Sequence, residues 1–329
     1  MRHRNSIRTA LGQSAFGAMV LLLSSFAPEA AHAQDKYPSR SVRVVVPTGA
    51  GGATDVTARN VADYLTRALG EPFVVENKPG AQGRVAATYI VQQPNDGYTL
   101  FAMASSQSVL PALYELPYDT LRDFTPIAVL STAPTMLLVN KNLPVTNITE
   151  LIAYAKRNPK EITFGYQGGP PQLAGAGFAK MAGITAVGVP FNASAQALTE
   201  LVAGRLTYII TTADVAKAQV DGGTVRALAA VGEHRAAVFP NIPSLYELGY
   251  KLDGSGWFGL AGPRDLPQPV VNRILSSLKE GYFGKEPQQL LQKAGLEPAE
   301  EGPDQFKARL TTAIARWQEI AASLGMKKM

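Results

Sequence analysis

Short β-rich runs alternate with helix-like segments along almost the whole chain, and this alternation limits the possible architecture more than any other feature. The runs are "VRVVVP" (42–47), "YTLFAM" (98–103), "TPIAVL" (125–130), "TMLLVN" (135–140), "ITFGY" (162–166), "LTYIIT" (206–211), "VRALAAVG" (225–232) and "WFGLAG" (257–262). Between them apolar residues fall at helical spacing. Val61, Leu65 and Leu69 recur every fourth residue, and Phe306, Leu310, Ile314, Trp317 and Leu324 mark one face of a long C-terminal helix. Such a pattern predicts α/β layers with largely parallel sheets. With 329 residues, 46% hydrophobic and 17% charged, the chain buries a sizeable core and is expected to form two lobes. Ligands of such sheets sit beyond the carboxyl ends of the strands, so the strand-to-helix loops are where a site is expected.

The first 33 residues have a different character. Arg2, Arg4 and Arg8 form a basic start, Ala15 to Phe26 is mostly apolar, and Ala31-His32-Ala33 is a small-x-small cleavage pattern. Together they predict a secretory signal peptide over 1–33 rather than a membrane anchor, since the apolar run is short and no second one of spanning length follows. The chain has no cysteine, so neither a lipid-modified N-terminal cysteine, a disulfide nor a thiolate site is available, and the mature protein is expected to be free and soluble. Of three histidines, His3 and His32 leave with the signal, which argues against a zinc site and against two-histidine acid/base chemistry. Removal of 1–33, with its three arginines and Glu29, lowers the net charge from +5 to about +3. No basic cluster with interleaved aromatics appears, so nucleic acid is not an expected partner. The terminal "KKM" (327–329) reads as dispensable.

Three loops have the composition of anion sites. In "VRVVVPTGAGGATDVTARNVADYL" (42–65), Gly49, Gly51 and Gly52 allow a tight turn and close approach to a ligand, and Thr54 is placed to cap a helix starting near Asp55. Free N–H groups at that helix start suit carboxylate or phosphate; a plain turn is the alternative. The loop lacks the Gly-Lys-Ser/Thr of a phosphate-binding loop and the third glycine of the dinucleotide fingerprint. "FGYQGGPPQLAGAGF" (164–178) repeats the design through Gly165, Gly168 and Gly169 before Pro170-Pro171, or is a Pro/Gly-rich connector. In "VPFNASAQALTEL" (189–201), Phe191 precedes Asn192 and Ser194 at a helix start and either walls a pocket or packs as a staple.

Enzyme signatures are scarce. Ser255 in "DGSGW" lacks the first glycine of a nucleophile elbow, and no paired-carboxylate motif stands out. His234 is the remaining histidine, either a hydrolase base or an ordinary surface residue.

The blocks "VVVPTGAGGATDVTAR" (44–59), "VVENKPGAQGRVAA" (74–87), "PNDGYTL" (94–100), "PALYELPYDTLRDFTPIAVL" (111–130), "PNIPSLYELGY" (240–250) and "WFGLAGPRDLPQPVVNRI" (257–274) occur in order over nearly the whole mature chain. In this the sequence resembles the Bug, or TctC-type, extracytoplasmic solute-binding receptors of tripartite tricarboxylate transporters. The resemblance implies a periplasmic, type II, two-lobed Venus-flytrap binding protein without enzymatic activity, cofactor or metal. It holds a small carboxylate between lobes and passes it, as a monomer, to a membrane permease of two subunits. The chain would cross the hinge twice, with lobe 1 comprising 37–134 plus 254–329 and lobe 2 comprising 135–253. Carried over residue by residue, the ligand-binding positions are Thr48, Gly49, Ala50, Gly51, Gly52, Ala53, Thr54 and Asp55 in the first loop, then Ser105 and Ser106. The second lobe would contribute Gly165, Tyr166, Gln167, Gly168, Gly169, Phe191, Asn192, Ala193, Thr211 and Thr212.

Several positions depart from the family pattern. Gly165 and Gly169 stand in a loop that often carries serines, Gln172 stands where histidine is common, Ala193 where glycine is frequent, and Arg84 where asparagine is frequent. Arg84 either pairs with a ligand anion or is solvated. Thr207 and Thr211 occupy two aspartate positions, and loss of the second removes a partner for a ligand ammonium. The expected ligand is therefore a mono- or dicarboxylate rather than an amino acid, and an aromatic one if Tyr166 and Phe191 both line the cleft. A receptor that presents its ligand to a membrane sensor kinase is the related alternative, and an exported hydrolase using His234 the remote one.

Overall fold

The computed structural model describes residues 37–191 and 193–329; the predicted signal peptide and Asn192 lie outside the described residues. The chain begins with β1 (Val42–Val46), α1 (Ala53–Leu69), β2 (Phe73–Asn77), α2 (Arg84–Val91), β3 (Thr99–Ala104), α3 (Ser106–Leu113) and β4 (Phe124–Ala133). A second group follows: β5 (Thr135–Asn140), α4 (Ile148–Arg157), β6 (Thr163–Tyr166), α5 (Gly169–Met181), β7 (Val187–Pro190), α6 (Ser194–Val202), β8 (Tyr208–Thr212), α7 (Ala213–Asp221) and β9 (Val225–Ala230). The chain then returns through β10 (Gly256–Pro263), α8 (Gln268–Ser277), a single π-helical turn (Leu278–Tyr282), α9 (Lys285–Lys293), β11 (Glu297–Glu301) and α10 (Pro303–Ser323). Two sheets result, of order β11-β4-β10-β3-β1-β2 and β7-β6-β8-β5-β9, giving a two-lobed α/β fold.

All eight runs read from the sequence form strands. The ones it missed, β2, β7 and β11, each lie at a sheet edge. An edge strand buries less, so it needs no apolar run: Val74 in β2 is 50% exposed, Val187 in β7 is 61% exposed, and β11 reads "EPAEE". The expectation of largely parallel sheets was wrong. Only the β1–β2, β1–β3, β6–β7 and β6–β8 pairs are parallel, while β10 runs antiparallel to β3 and β4, β11 to β4, and β5 to β8 and β9. The reason is connection: parallel neighbours are joined by crossover helices within one sheet, whereas β5 and β10 each enter their sheet from the other one.

The second sheet separates two cores. Leu137 and Val139 of β5 point to the cluster containing Phe164, Phe178 and Tyr208, and Met136 and Leu138 point to the one containing Leu201 and Ile209. Burial on both faces explains why "TMLLVN" is almost wholly apolar. Helix α10 belongs to both halves of the molecule. Phe306 and Leu310 pack with Phe101 and Trp257 of the first sheet, while Trp317 and Ala321 join α3 residues Val109 and Leu113 in the core of the second. Nor is the tail dispensable in its contacts: the Met329 amide donates to Leu113 O (2.9 Å) and its carbonyl accepts from the Glu115 amide (3.0 Å).

Gly175, inside α5, lets that helix approach β6 and β8. A Cβ there would lie 2.4 Å from the ring of Phe164, which stacks on Tyr208 at 5.4 Å, and Tyr208 Oη donates to Gly175 O (2.9 Å). Helix propensity alone would make Gly175→Ala stabilising by about 1 kcal/mol, but overpacking costs about 1–3 kcal/mol. Packing is expected to win, lowering the urea midpoint of Gly175→Ala; a higher midpoint would show that the ring moves aside freely.

Candidate ligand-binding cleft

A cleft of about 260 Å3 opens between the two sheets. The first lobe contributes Thr48 from the glycine-rich turn, Ser105 and Ser106 from the end of β3, and Gln82. Facing them are Gln167, Gly168, Gly169, Pro170 and Pro171 at the entry to α5, Ser194 at the start of α6, and Thr211 and Thr212 at the end of β8. Ala133, Thr135, Gly254, Gly256 and Phe258, on the segments that pass between the sheets, complete it. None of the described lining residues is charged. Their polar groups are hydroxyls, two side-chain amides and the backbone.

Thr211 stands out among them. Its Oγ1 is shut off from solvent and has no hydrogen-bond partner among the described residues, an arrangement rare for a buried hydroxyl. Pairing of β8 with β5 at Met136 fixes the backbone that carries it.

Of the residues expected from the sequence, Thr48, Ser105, Ser106, Gln167, Gly168, Gly169, Thr211 and Thr212 line this cleft. Gly49 to Gly52 form an exposed turn beside it, and Ala53, Thr54 and Asp55 begin α1. Gly165 lies within β6, where a Cβ would meet Leu206, Ile209 and Phe191 at 2.6–3.2 Å, so its small size serves packing. Tyr166 packs against the core cluster on one face of the second sheet and Phe191 against that on the other, which leaves unmet the condition for an aromatic ligand set by these two rings. Ala193 is the N-cap of α6, and Asn192 is outside the described residues. Arg84 is neither a cleft residue nor freely solvated: its guanidinium lies 3.9 Å over the Tyr114 ring and its Nε donates to Ala81 O.

Several lining residues were not among the expected ones. Phe258, Gly256 and Thr135 lie on strands whose side chains alternate faces, and only the sheet pairing shows which face meets the other lobe. Gln82 had a local signal that passed unused, the glycines around it in "PGAQG". Ala81 and Gln82 have φ of 46° and 57°, left-handed conformations uncommon for residues with a side chain. That turn brings Gln82 Nε2 to Tyr114 Oη (3.2 Å) and its Oε1 within 3.2 Å of where a Cβ of residue 169 would stand. Val109 and Leu113 approach the same point at 3.0 and 3.2 Å, so Gly169 is seated directly against the first lobe.

The expected Thr54 cap is replaced by another device. Gly52 is the N-cap and makes no side-chain cap bond; Asp55, in the first turn, reaches back to accept from the Gly51 amide (2.9 Å). Asn77 Nδ2 bridges Asp55 Oδ1 (2.8 Å) and Thr48 O (3.0 Å), and Arg59 Nε donates to Asp55 Oδ2 (2.9 Å). Burial alone would push the Asp55 carboxyl up, but the hydrogen bonds from Arg59, Gly51 and Asn77, with the Arg59 charge, outweigh it and hold the carboxyl below its ordinary value. The glycine-rich turn is thus clamped by an internal anion that occupies the Gly51 amide.

A carboxyl with a lower pKa folded than unfolded stabilises the protein fully above the unfolded value, near pH 4, and loses that contribution as pH falls through the folded one. Asp55→Ala is therefore expected to cost about 2 kcal/mol at pH 7 and to flatten the loss of stability as pH falls below about 4. Urea titrations across that range check it; parallel wild-type and variant curves would contradict the assignment.

Comparison with known proteins gives the family and the fold. Residues 57–326 match the family described as "Tripartite tricarboxylate transporter family receptor". Protein BugT of Bordetella pertussis (strain Tohama I) is 29% identical over 299 residues, 89% of this chain and 92% of that protein. Among solved structures, R. palustris Rpa4515 with adipate is 31% identical with TM-score 0.76, over 89% of this chain and all of that one. MatC (Rpa3494) from Rhodopseudomonas palustris with bound malate is 26% identical with TM-score 0.72, over 87% and 100%. The family consists of periplasmic solute receptors, not enzymes, so the hydrolase alternative built on the exposed His234 falls away. From the uncharged interlobe cleft, the fold and the family match together, the chain belongs to the TctC family of tripartite tricarboxylate transporter receptors.

Proposed function

We propose that this receptor captures a small aliphatic mono- or dicarboxylate between its lobes and delivers it, as a monomer, to the membrane permease of a tripartite tricarboxylate-type transporter. Export by a leader spanning 1–33 would bring it to the periplasm as a free protein. Lobe 1 in this reading is 37–134 plus 254–329 and lobe 2 is 135–253. Thr48, Ser105 and Ser106 would face Gln167 to Gly169, Thr211 and Thr212 across the ligand.

The observation that carries the reading is a cleft between the lobes lined by neutral hydrogen-bonding groups, among them Thr211, whose hydroxyl has no partner among the described residues. A carboxylate accepts from such groups without needing a counter-charge, and hydrogen bonds to a charged group are worth about 1.5–3 kcal/mol each. Micromolar binding requires only about 8 kcal/mol, so a few of them suffice. The absence of carboxylates from the described lining disfavours a ligand ammonium. The adipate and malate in Rpa4515 and MatC are aliphatic dicarboxylates, which supports the same ligand class here. A ligand touching both lobes stabilises the arrangement in which Gly169 meets the first lobe and shifts the population towards it.

The test is a thermal-shift screen of C3 to C8 mono- and dicarboxylates, followed by calorimetry on the acid that raises the melting temperature most. Thr211→Val, nearly isosteric, should weaken binding of that acid about tenfold. The ligand-free variant should melt no lower than wild type, because the lost hydroxyl had no internal partner. Undiminished affinity of Thr211→Val, or no stabilisation of wild type by any acid, would overturn the proposal.

A further inference from the structure

Away from the cleft-lining residues, the packing of α1 against the π-turn and α9 concentrates buried oxygens. Asn60 Oδ1, Ser277 Oγ, Tyr282 Oη and Gln288 Oε1 are each shut off from solvent with no hydrogen-bond partner among the described residues. Thr211 Oγ1 is the fifth such atom, and these four belong to a single junction. Asn60 Nδ2 donates to Pro287 O (3.4 Å), Tyr64 Oη, one helical turn further along, donates to Ser277 O (2.7 Å), and Gln288 Nε2 donates to Tyr282 O (3.3 Å). The Tyr64 and Tyr282 rings meet edge to face at 5.6 Å. The backbone linking Ser277 to Tyr282 is the π-turn, Leu278–Tyr282, a widened helical turn of a kind that recurs where a helix accommodates something besides its own hydrogen bonds.

The chemistry left over at this junction is specific. Each amide nitrogen gives one of its two N–H donors to a carbonyl, the amide oxygens can only accept, and the two hydroxyls each have a donor and an acceptor to offer. Residues 277 and 282 are almost entirely buried, at 2% and 0% exposure, so bulk solvent does not reach their hydroxyls. The four atoms do not bond one another, so any partner they share has to supply donors. A metal cation is a poor fit, because no ionised side chain is among the four and a charge buried with neutral oxygens alone is costly. The charged neighbours Arg67, Lys285 and Glu286 instead line a surface depression of about 360 Å3 with Tyr64 and Gly281. Water fits: it donates twice, accepts twice, and in protein interiors takes about three hydrogen bonds from groups of this kind.

We propose that the junction of α1, the π-turn and α9 is an internal hydration site, in which ordered water bridges Asn60, Ser277, Tyr282 and Gln288 and holds the π-turn and α9 to α1. This inference is independent of the ligand-binding reading.

Tyr282→Phe tests it, because removal of one oxygen has opposite consequences in the two cases. If Oη is bonded to water, the variant breaks that bond and melts about 1–3 °C lower; if Oη is dry, removal of an unsatisfied hydroxyl leaves the melting temperature unchanged or higher. Ser277→Ala should also lower it, and the double variant should lose less than the sum, since both changes release shared water. A crystal structure at better than 2 Å should show a water oxygen within about 3.2 Å of at least two of the four atoms. A higher or unchanged melting temperature in Tyr282→Phe, a junction without water in the crystal, or stabilisation specific to sodium or potassium over choline at equal ionic strength would each overturn the proposal.

Discussion

The molecule depends on β10 being hydrogen-bonded between β3 and β4. Those strands are separated by a gap that only β10 fills, and the chain reaches β10 only after leaving β9 of the second sheet. The first sheet is therefore incomplete until the whole second lobe has been made and the chain has returned. Where the two crossings run side by side, Gly256 pairs with Ala133, and a Cβ on Gly256 would lie 3.2 Å from that of Ala133. Small residues let the crossing strands approach there, and Ala133, Thr135, Gly254 and Gly256 become the base of the cleft. The connection that joins the lobes is thus also what the site is built on.

Charge is handled outside that cleft. Asp55 is satisfied by Gly51, Asn77 and Arg59, so the positive end of α1 already faces a carboxylate of its own. Next to the cleft, across Ser105 and Pro170, a second cavity of about 300 Å3 contains charged groups, but Arg309 is paired with Glu301 and Arg316 lies 3.7 Å from Asp253. The cleft itself offers dipoles held in place by the backbone. Such dipoles need not reorganise to receive an anion, and they do not attract one indiscriminately as an exposed arginine would.

Local pattern made much of the fold legible. Runs such as "VRVVV" and "TMLLVN" are apolar because their sheets are covered, and the four-residue spacing of Val61, Leu65 and Leu69 reports the buried face of α1, where all three are at most 5% exposed. The edge strands were hidden for the same reason in reverse, since half-exposed strands such as "EPAEE" carry no apolar run. In the site, α/β topology pointed to the strand-to-helix loops in general, and Thr48, Ser105 and Thr211 themselves were readable only through the family motifs. Gly165 and Phe191 were not, because a glycine that admits a ligand and one that admits a neighbouring ring look the same in sequence, and Gly165 lies against the Phe191 ring.

The sequence by itself determined the class of fold, the family and the loops from which a binding surface would be drawn, because those follow from local periodicity, turn chemistry and ordered motifs along the chain. Tertiary structure alone decided the strand directions, the turning of Tyr166 and Phe191 into opposite cores, the Asp55 clamp in place of a Thr54 cap, and the isolation of the Thr211 hydroxyl. Each of these depends on residues distant in the chain meeting with their side chains on a particular face, and spacing in a single sequence carries no information about that meeting.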